Sequence, residues 1–194
     1  MNSKEIYCAI SILLTLAGFY PYIRAIFKGQ TKPHVFSWVV WSISTLVVFF
    51  AQLADDGGLG AWPTGLSGLI TAYVALLAFY RRSEIVITRS DWFFFVLAMV
   101  SIPIWYATSS PLYAVMILTT VDLFGFIPTF RKGYEKPFDE NISFYLIFGI
   151  RSFISIFALE NYSLTTILFP ATIGAMSFLM LPLLVYRRRI LLIP

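Results

Sequence analysis

Charged residues make up only 12% of this 194-residue chain, against 59% hydrophobic residues. That leaves too little polar surface to cover a soluble particle, so the chain belongs in a lipid bilayer. Cysteine occurs once, as Cys8 inside an apolar run, which excludes an intrachain disulfide and a cysteine metal cluster. The sequence also lacks a Gly-rich phosphate loop, a His-x-x-x-His pair, a Ser/His/Asp spacing and any carboxylate cluster outside short connections. Enzymatic catalysis, a bound metal and a cofactor are therefore not expected. The net charge of +4 could suggest nucleic acid, but the basic residues flank apolar segments in groups of three. That placement is a topology signal, so nucleic acid is not expected as a partner.

What is abundant is apolar sequence in lengths that fit a membrane. A bilayer core about 30 Å thick takes roughly 20 apolar residues per helix. Seven runs qualify, at residues 6–27, 34–53, 61–80, 92–108, 111–130, 142–159 and 164–186. The first is too long for a signal peptide, lacks a small-residue cleavage pattern and is expected to remain as a membrane helix. Arg24, Lys28 and Lys32 follow run 1, and Arg81, Arg82 and Arg89 follow run 3. Arg131, Lys132 and Lys136 follow run 5, and Arg187, Arg188 and Arg189 follow run 7. The connections after runs 2, 4 and 6 have no Lys or Arg and carry Asp55, Asp56 and Glu160 instead. By the positive-inside rule the N-terminus is outside and the C-terminus inside. The expected setting is a multi-pass integral protein of the plasma membrane, or the inner membrane of a bacterium.

The chain also repeats itself. Gly18-Phe19-Tyr20-Pro21-Tyr22-Ile23-Arg24 returns as Gly125-Phe126-Ile127-Pro128-Thr129-Phe130-Arg131, a shift of 107 residues. Pro63 finds Pro170 at the same shift, and Tyr80-Arg81-Arg82 finds Tyr186-Arg187-Arg188 at one less. A three-helix unit inverts the chain, so a second copy runs parallel to the first only if one extra helix restores the direction. The expected fold class is thus an all-α membrane protein with seven transmembrane helices in 3+1+3 parallel triple-helix-bundle repeats. Residues 1–82 form the first bundle, 83–110 the linker helix and 111–194 the second bundle.

Two charges fall where charge is costly. Asp122 lies near the middle of run 5 and Arg151 near the middle of run 6. An ionised side chain at the midplane costs on the order of 3 kcal/mol, so each should face the bundle interior, a partner or water. They are expected to pair with each other, either as a structural ion pair or as a site in which Arg151 holds an anionic or carbonyl-bearing solute and Asp122 balances it or takes a proton. At the shift of 107, Thr15 stands opposite Asp122 and Ser44 opposite Arg151; Thr71 and Ser177 correspond at 106. These hydroxyls either contact solute or bond back to the helices.

Pro21 and Pro128 sit at equivalent places near the inner ends of runs 1 and 5 and are either hinges or fixed kinks. Trp38 and Trp41 are three apart and share a helix face. They form either an aromatic wall for a planar solute or an interfacial belt with packing behind it. His34, the single histidine, falls at the inner boundary after Thr31-Lys32-Pro33.

With this pattern the chain resembles the SWEET and PQ-loop superfamily of small-solute carriers, which includes the PnuC-type vitamin transporters and, more remotely, the KDEL receptor. The family's prolines correspond to Pro21, Pro33, Pro128 and Pro137, and Trp38-Val39-Val40-Trp41 is similar to a tryptophan pair of the PnuC branch. The PQ dipeptide itself is missing, because Tyr22 and Thr129 follow the prolines. The paired asparagines that contact sugar in the SWEETs are also missing, and Thr71 and Ser177 stand nearest to their places.

The resemblance implies a facilitator or proton-coupled carrier that moves a small polar or anionic solute by alternating access around a midplane cavity. A non-transporting receptor or adaptor of the same fold would instead dock partners at basic loops such as 131–140. An ion or proton channel ranks last, since one acid within the helices makes no selectivity ring. Homo-oligomerisation is left open.

Overall fold

The computed structural model describes residues 2–29, 33, 35–81 and 89–192, with the side chains of residues 90, 91, 128, 132, 139 and 192 excepted. Thr31, Lys32, His34 and Arg82 lie outside the described residues. Among the described residues the chain is all helical and contains no strand. The helices are α1 (Ser3–Phe27), α2 (Val35–Ala54), α3 (Trp62–Tyr80), α4 (Arg89–Thr108), α5 (Pro111–Glu135), α6 (Ile142–Phe157) and α7 (Leu164–Leu192). Short 3₁₀ turns at Gly58–Ala61 and Pro137–Asp139 lie in two of the connections. Each apolar run of the sequence coincides with one helix, because a helix satisfies its own backbone where no water is available.

Five of these helices are long and apolar enough to cross a membrane: α1, α2, α3 together with its leading 3₁₀ turn, α5 and α7. The apolar part of α4 (Trp92–Thr108) and α6 are shorter. At about 1.5 Å per residue, the 16 residues of α6 rise roughly 24 Å, less than a typical hydrocarbon core.

Helix ends depart from the apolar runs in a consistent way. α5 continues to Glu135 and α7 to Leu192, so Arg131 and Arg187 to Arg189 are helical and do not merely follow the helices. Hydropathy marks the depth at which the chain leaves lipid, whereas Arg, Lys and Glu are good helix formers that carry a helix on into water. Arg131 Nε reaches Glu135 Oε1 at 2.9 Å, one helical turn away. Asn141 caps α6 by accepting from the Phe144 amide at 3.3 Å.

α1 and α2 each pack on α3, and α5 and α6 each pack on α7. The two groups meet along α1/α6 and along α2/α5, while α4 rests on α5 and α2. Close approaches at glycines fix these interfaces. A Cβ placed on Gly18 would lie 2.7 Å from Phe148 Cε2, and one on Gly125 would lie 3.4 Å from Trp41 Nε1. Shifting by 107 converts Gly18 to Gly125 and Trp41 to Phe148, so the second contact is the first with its halves exchanged. Likewise a Cβ on Gly68 would meet Leu46 Cδ2 at 2.8 Å, and one on Gly174 would meet Phe153 Cε2 at 2.8 Å. Those pairs correspond at shifts of 106 and 107.

At one end of the molecule the α2–α3 and α6–α7 connections are stitched together. Asn161 Nδ2 donates to the Asp55 carbonyl at 2.9 Å, the Glu160 amide donates to the Gly57 carbonyl at 3.1 Å, and the Ser163 hydroxyl donates to the Asp55 carboxylate. Below this layer, fully buried Gln52 on α2 donates through Nε2 to the Thr166 carbonyl of α7 at 2.7 Å. Pro170 has no N–H for that carbonyl four residues back, so Gln52 supplies the donor the proline removes. Gln52→Leu is expected to lower the melting temperature in detergent, a loss of about 1–3 kcal/mol for an unsatisfied buried acceptor. Adding Pro170→Ala, which restores the helical donor, should recover part of it.

Candidate functional site: two versions of one polar junction

Midway along the helices the structure buries each of the candidate hydroxyls and charges. Thr15 and Ser44 are fully buried, and Thr71, Asp122, Arg151 and Ser177 are at most 8% exposed. Four of them fall into two groups by the helices they lie between.

The first group gathers where α6 crosses α1. Arg151 Nη1 donates to Thr15 Oγ1 at 3.1 Å and to the Pro63 carbonyl at 3.2 Å. Thr15 in turn donates to the Ser11 carbonyl at 2.8 Å, so its hydroxyl is used in both directions. Ser11 Oγ donates back to the Arg151 carbonyl at 3.0 Å, which fixes the backbone that carries the guanidinium. The guanidinium carbon also lies 5.0 Å from the centre of the Phe148 ring, the same ring that packs on Gly18. A buried cation is thus held by a hydroxyl, a carbonyl and an aromatic face. No carboxylate completes the set, and Arg151 Nε has no hydrogen-bond partner.

This arrangement corrects the expected pairing. Among the described residues the ion pair within 4.0 Å is Arg131–Glu135 on the helix surface, and Asp122 and Arg151 do not pair. Each charge lies in the middle part of its helix, but they sit on different interfaces, Arg151 at α1/α6 and Asp122 on the helix that meets α2. Depth can be read from a sequence; the direction a helix faces cannot be read from depth.

The second group lies where α5 meets α2. Trp41 and Gly125 touch there, and Ser44 and Asp122 are each one helical turn from that contact. Ser44 Oγ, Asp122 Oδ1 and Thr119 Oγ1 are buried without a hydrogen-bond partner. Thr119 had no place among the sequence candidates, although its spacing of three from Asp122 puts it on the same face. Ser11, one turn before Thr15, carried the same kind of signal. The Pro63 carbonyl carried none, since a backbone acceptor has no letter.

Several predicted residues stand apart from these junctions. Thr71 donates to the Ser67 carbonyl of its own helix at 2.7 Å, which satisfies the hydroxyl locally. Ser177 is buried on α7. Trp38 and Trp41 are half-buried, with ring centres 5.4 Å apart, and Tyr22 packs in a tilted contact with Trp38 at 5.1 Å. Tyr22, Trp38 and Trp41 therefore form a packed aromatic file that ends where Trp41 meets Gly125. Pro21 is an exposed residue within an unbroken α1, and Pro128 falls within α5. Pro137 belongs to a 3₁₀ turn ahead of α6. A groove of about 340 Å³ between α1 and α3 is lined by Leu16, Tyr20, Leu69 and Tyr73 among others and touches none of the candidate residues.

Compared with family models, with curated proteins and with solved structures, the chain matches none. The junctions therefore rest on their own geometry.

Thr15→Val removes the hydroxyl that accepts from Arg151 while keeping its shape. The variant is expected to lose about 1–3 kcal/mol of stability, because one guanidinium hydrogen would be left buried and unpaired. Thr15→Ser should lose much less. Thermal unfolding of the three proteins in one detergent checks the order.

Proposed function

We propose that the chain is a membrane carrier for a small polar or anionic solute, working by alternating access between two three-helix units. In this reading all seven helices span the bilayer, with the N-terminus outside and the C-terminus inside, in the manner of the SWEET and PQ-loop carriers. α1 to α3 and α5 to α7 are parallel copies, and α4 links them.

The observation that carries the proposal is the doubled junction. Gly18 on Phe148 and Gly125 on Trp41 are one contact made twice under a shift of 107. Two equivalent interfaces around a common axis are what rocking requires, since each unit can turn against the other without breaking its own packing. The polar residues lie one turn from these contacts, at the depth where such carriers bind solute. The stitched end, where Asn161 and Ser163 hold Asp55, then represents a closed outer side. At the other end, Arg188 binds the Pro137 and Glu140 carbonyls and Arg187 the Tyr134 carbonyl, so these cations hold the α5–α6 connection. That internal use of the basic residues favours a carrier over a receptor that would dock a partner on them.

Within this reading Arg151 supplies the positive charge for an anionic or carbonyl-bearing solute, which would take up its unpartnered Nε. Pro21 and Pro128 act as the bending points of α1 and α5, with protons as a candidate coupling ion at Asp122. Proteoliposome uptake over a panel of sugars, amino acids, organic acids and vitamins tests the proposal. At least one solute is expected to accumulate with saturable kinetics. Arg151→Lys, which keeps the charge and loses the planar fork, should cut that flux roughly 10- to 100-fold, in line with 1.5–3 kcal/mol for a charged hydrogen bond. Absence of flux for the whole panel, or wild-type flux in Arg151→Lys, contradicts this assignment.

A further inference from the structure

The α1/α6 junction shows what this architecture holds at that position. A guanidinium sits between a hydroxyl on α1 and the carbonyl of Pro63, with an aromatic ring one turn away. The α2/α5 junction has the same parts in exchanged order: Asp122 replaces Thr15, Pro170 replaces Pro63, and Trp41 replaces Phe148. The part it lacks is the cation, since Ser44 stands where Arg151 stands in the other copy.

The contacts support this correspondence in register as well as in sequence. Tyr7 packs against Phe157, Ser11 bonds to the Arg151 backbone and Gly18 packs on Phe148, so α1 and α6 run antiparallel. In the second interface Trp41 meets Gly125, while Val48 and Ala51 further along α2 share a buried cluster with Leu118 and Val115 further back on α5. An antiparallel register through the Trp41–Gly125 contact sets Ser44 beside Asp122, with Thr119 one turn on. All three side chains are more than nine-tenths buried, and each has an oxygen without a partner. Buried oxygens left without hydrogen-bond partners, one of them on a carboxyl group, are costly in a low-dielectric interior, and a cation among them would lower that cost.

We propose that the α2/α5 junction is a binding site for a small monovalent cation, held by the Asp122 carboxylate and the Ser44 and Thr119 hydroxyls. The occupant takes the place that the Arg151 guanidinium fills in the other half. A guanidinium or ammonium group would donate hydrogen bonds to the three oxygens, and a bare alkali ion would be coordinated by them. The inference rests on the junction geometry and stands whether or not the chain transports a solute.

Thermal unfolding of the full chain in a zwitterionic detergent tests it, at constant ionic strength made up with choline chloride. Methylguanidinium, ammonium and sodium are titrated separately at millimolar concentrations. At least one should raise the melting temperature saturably, by roughly 2–8 °C, and the one that does so identifies the kind of cation. Asp122→Asn should fold and lose the response. Ser44→Arg, which builds the other junction's guanidinium into this one, should fold with a melting temperature at or above that of the wild type and also lose the response. Failure of all three cations to stabilise the wild type overturns the proposal. So does a response that survives in Asp122→Asn. Should Ser44→Arg fail to fold, the comparison of wild type with Asp122→Asn still decides the question.

Discussion

Arg151 reaching from α6 to Thr15 on α1 and to the Pro63 carbonyl is the interaction on which the middle of this protein is organised. A guanidinium in an apolar bundle is tolerated only where oxygens already face it. That requirement fixes much around it. Ser11 holds the Arg151 backbone, Thr15 uses its hydroxyl twice, and Phe148 lies close to both the guanidinium and Gly18. The glycine is needed because a side chain at that position would collide with the ring that lies beneath the charge. One buried cation thus specifies residues on three helices.

The other interface has the same close approach and the opposite electrostatics. Where Arg151 satisfies two oxygens, the α2/α5 junction leaves oxygens unsatisfied on Ser44, Thr119 and Asp122. Apolar packing is what the two interfaces share; polar decoration is what distinguishes them. In a carrier this division is useful, because symmetric packing makes the two units equally able to rock while unequal polar groups give the centre a direction. One junction holds the Arg151 guanidinium, and the other presents Ser44, Thr119 and Asp122 oxygens without hydrogen-bond partners.

Much of the fold was legible in the sequence, and the reasons are physical. A helix is how an apolar run satisfies its own backbone, so the seven runs and the seven helices agree closely in position, and five of the helices are long and apolar enough to cross a membrane. The ends of α5 and α7 were not legible, because hydropathy stops at the lipid boundary while Arg131 to Glu135 and Arg187 to Leu192 continue as helix. Burial of Asp122 and Arg151 followed from their places in mid-helix, but their pairing did not, since two mid-helix charges can face different interfaces. The sequence shift of 107 bears on this point, since it matches Arg151 to Ser44 and Thr15 to Asp122, and Arg151 reaches Thr15 and not Asp122. Acceptors such as the Pro63 carbonyl become visible only when the chain is folded.

Alternating access, as proposed for this chain, requires the two units to move against each other. In a Cys8→Ser background, spin labels on Leu53→Cys and Phe157→Cys report the stitched end, and labels on Phe27→Cys and Tyr134→Cys report the opposite end; all four positions are exposed. Pulsed electron–electron distance measurements in nanodiscs should find two populations at each end. Cross-linking one end in its short state should drive the other to its long one. A single distance at both ends, unchanged by cross-linking either, would contradict alternating access in this fold.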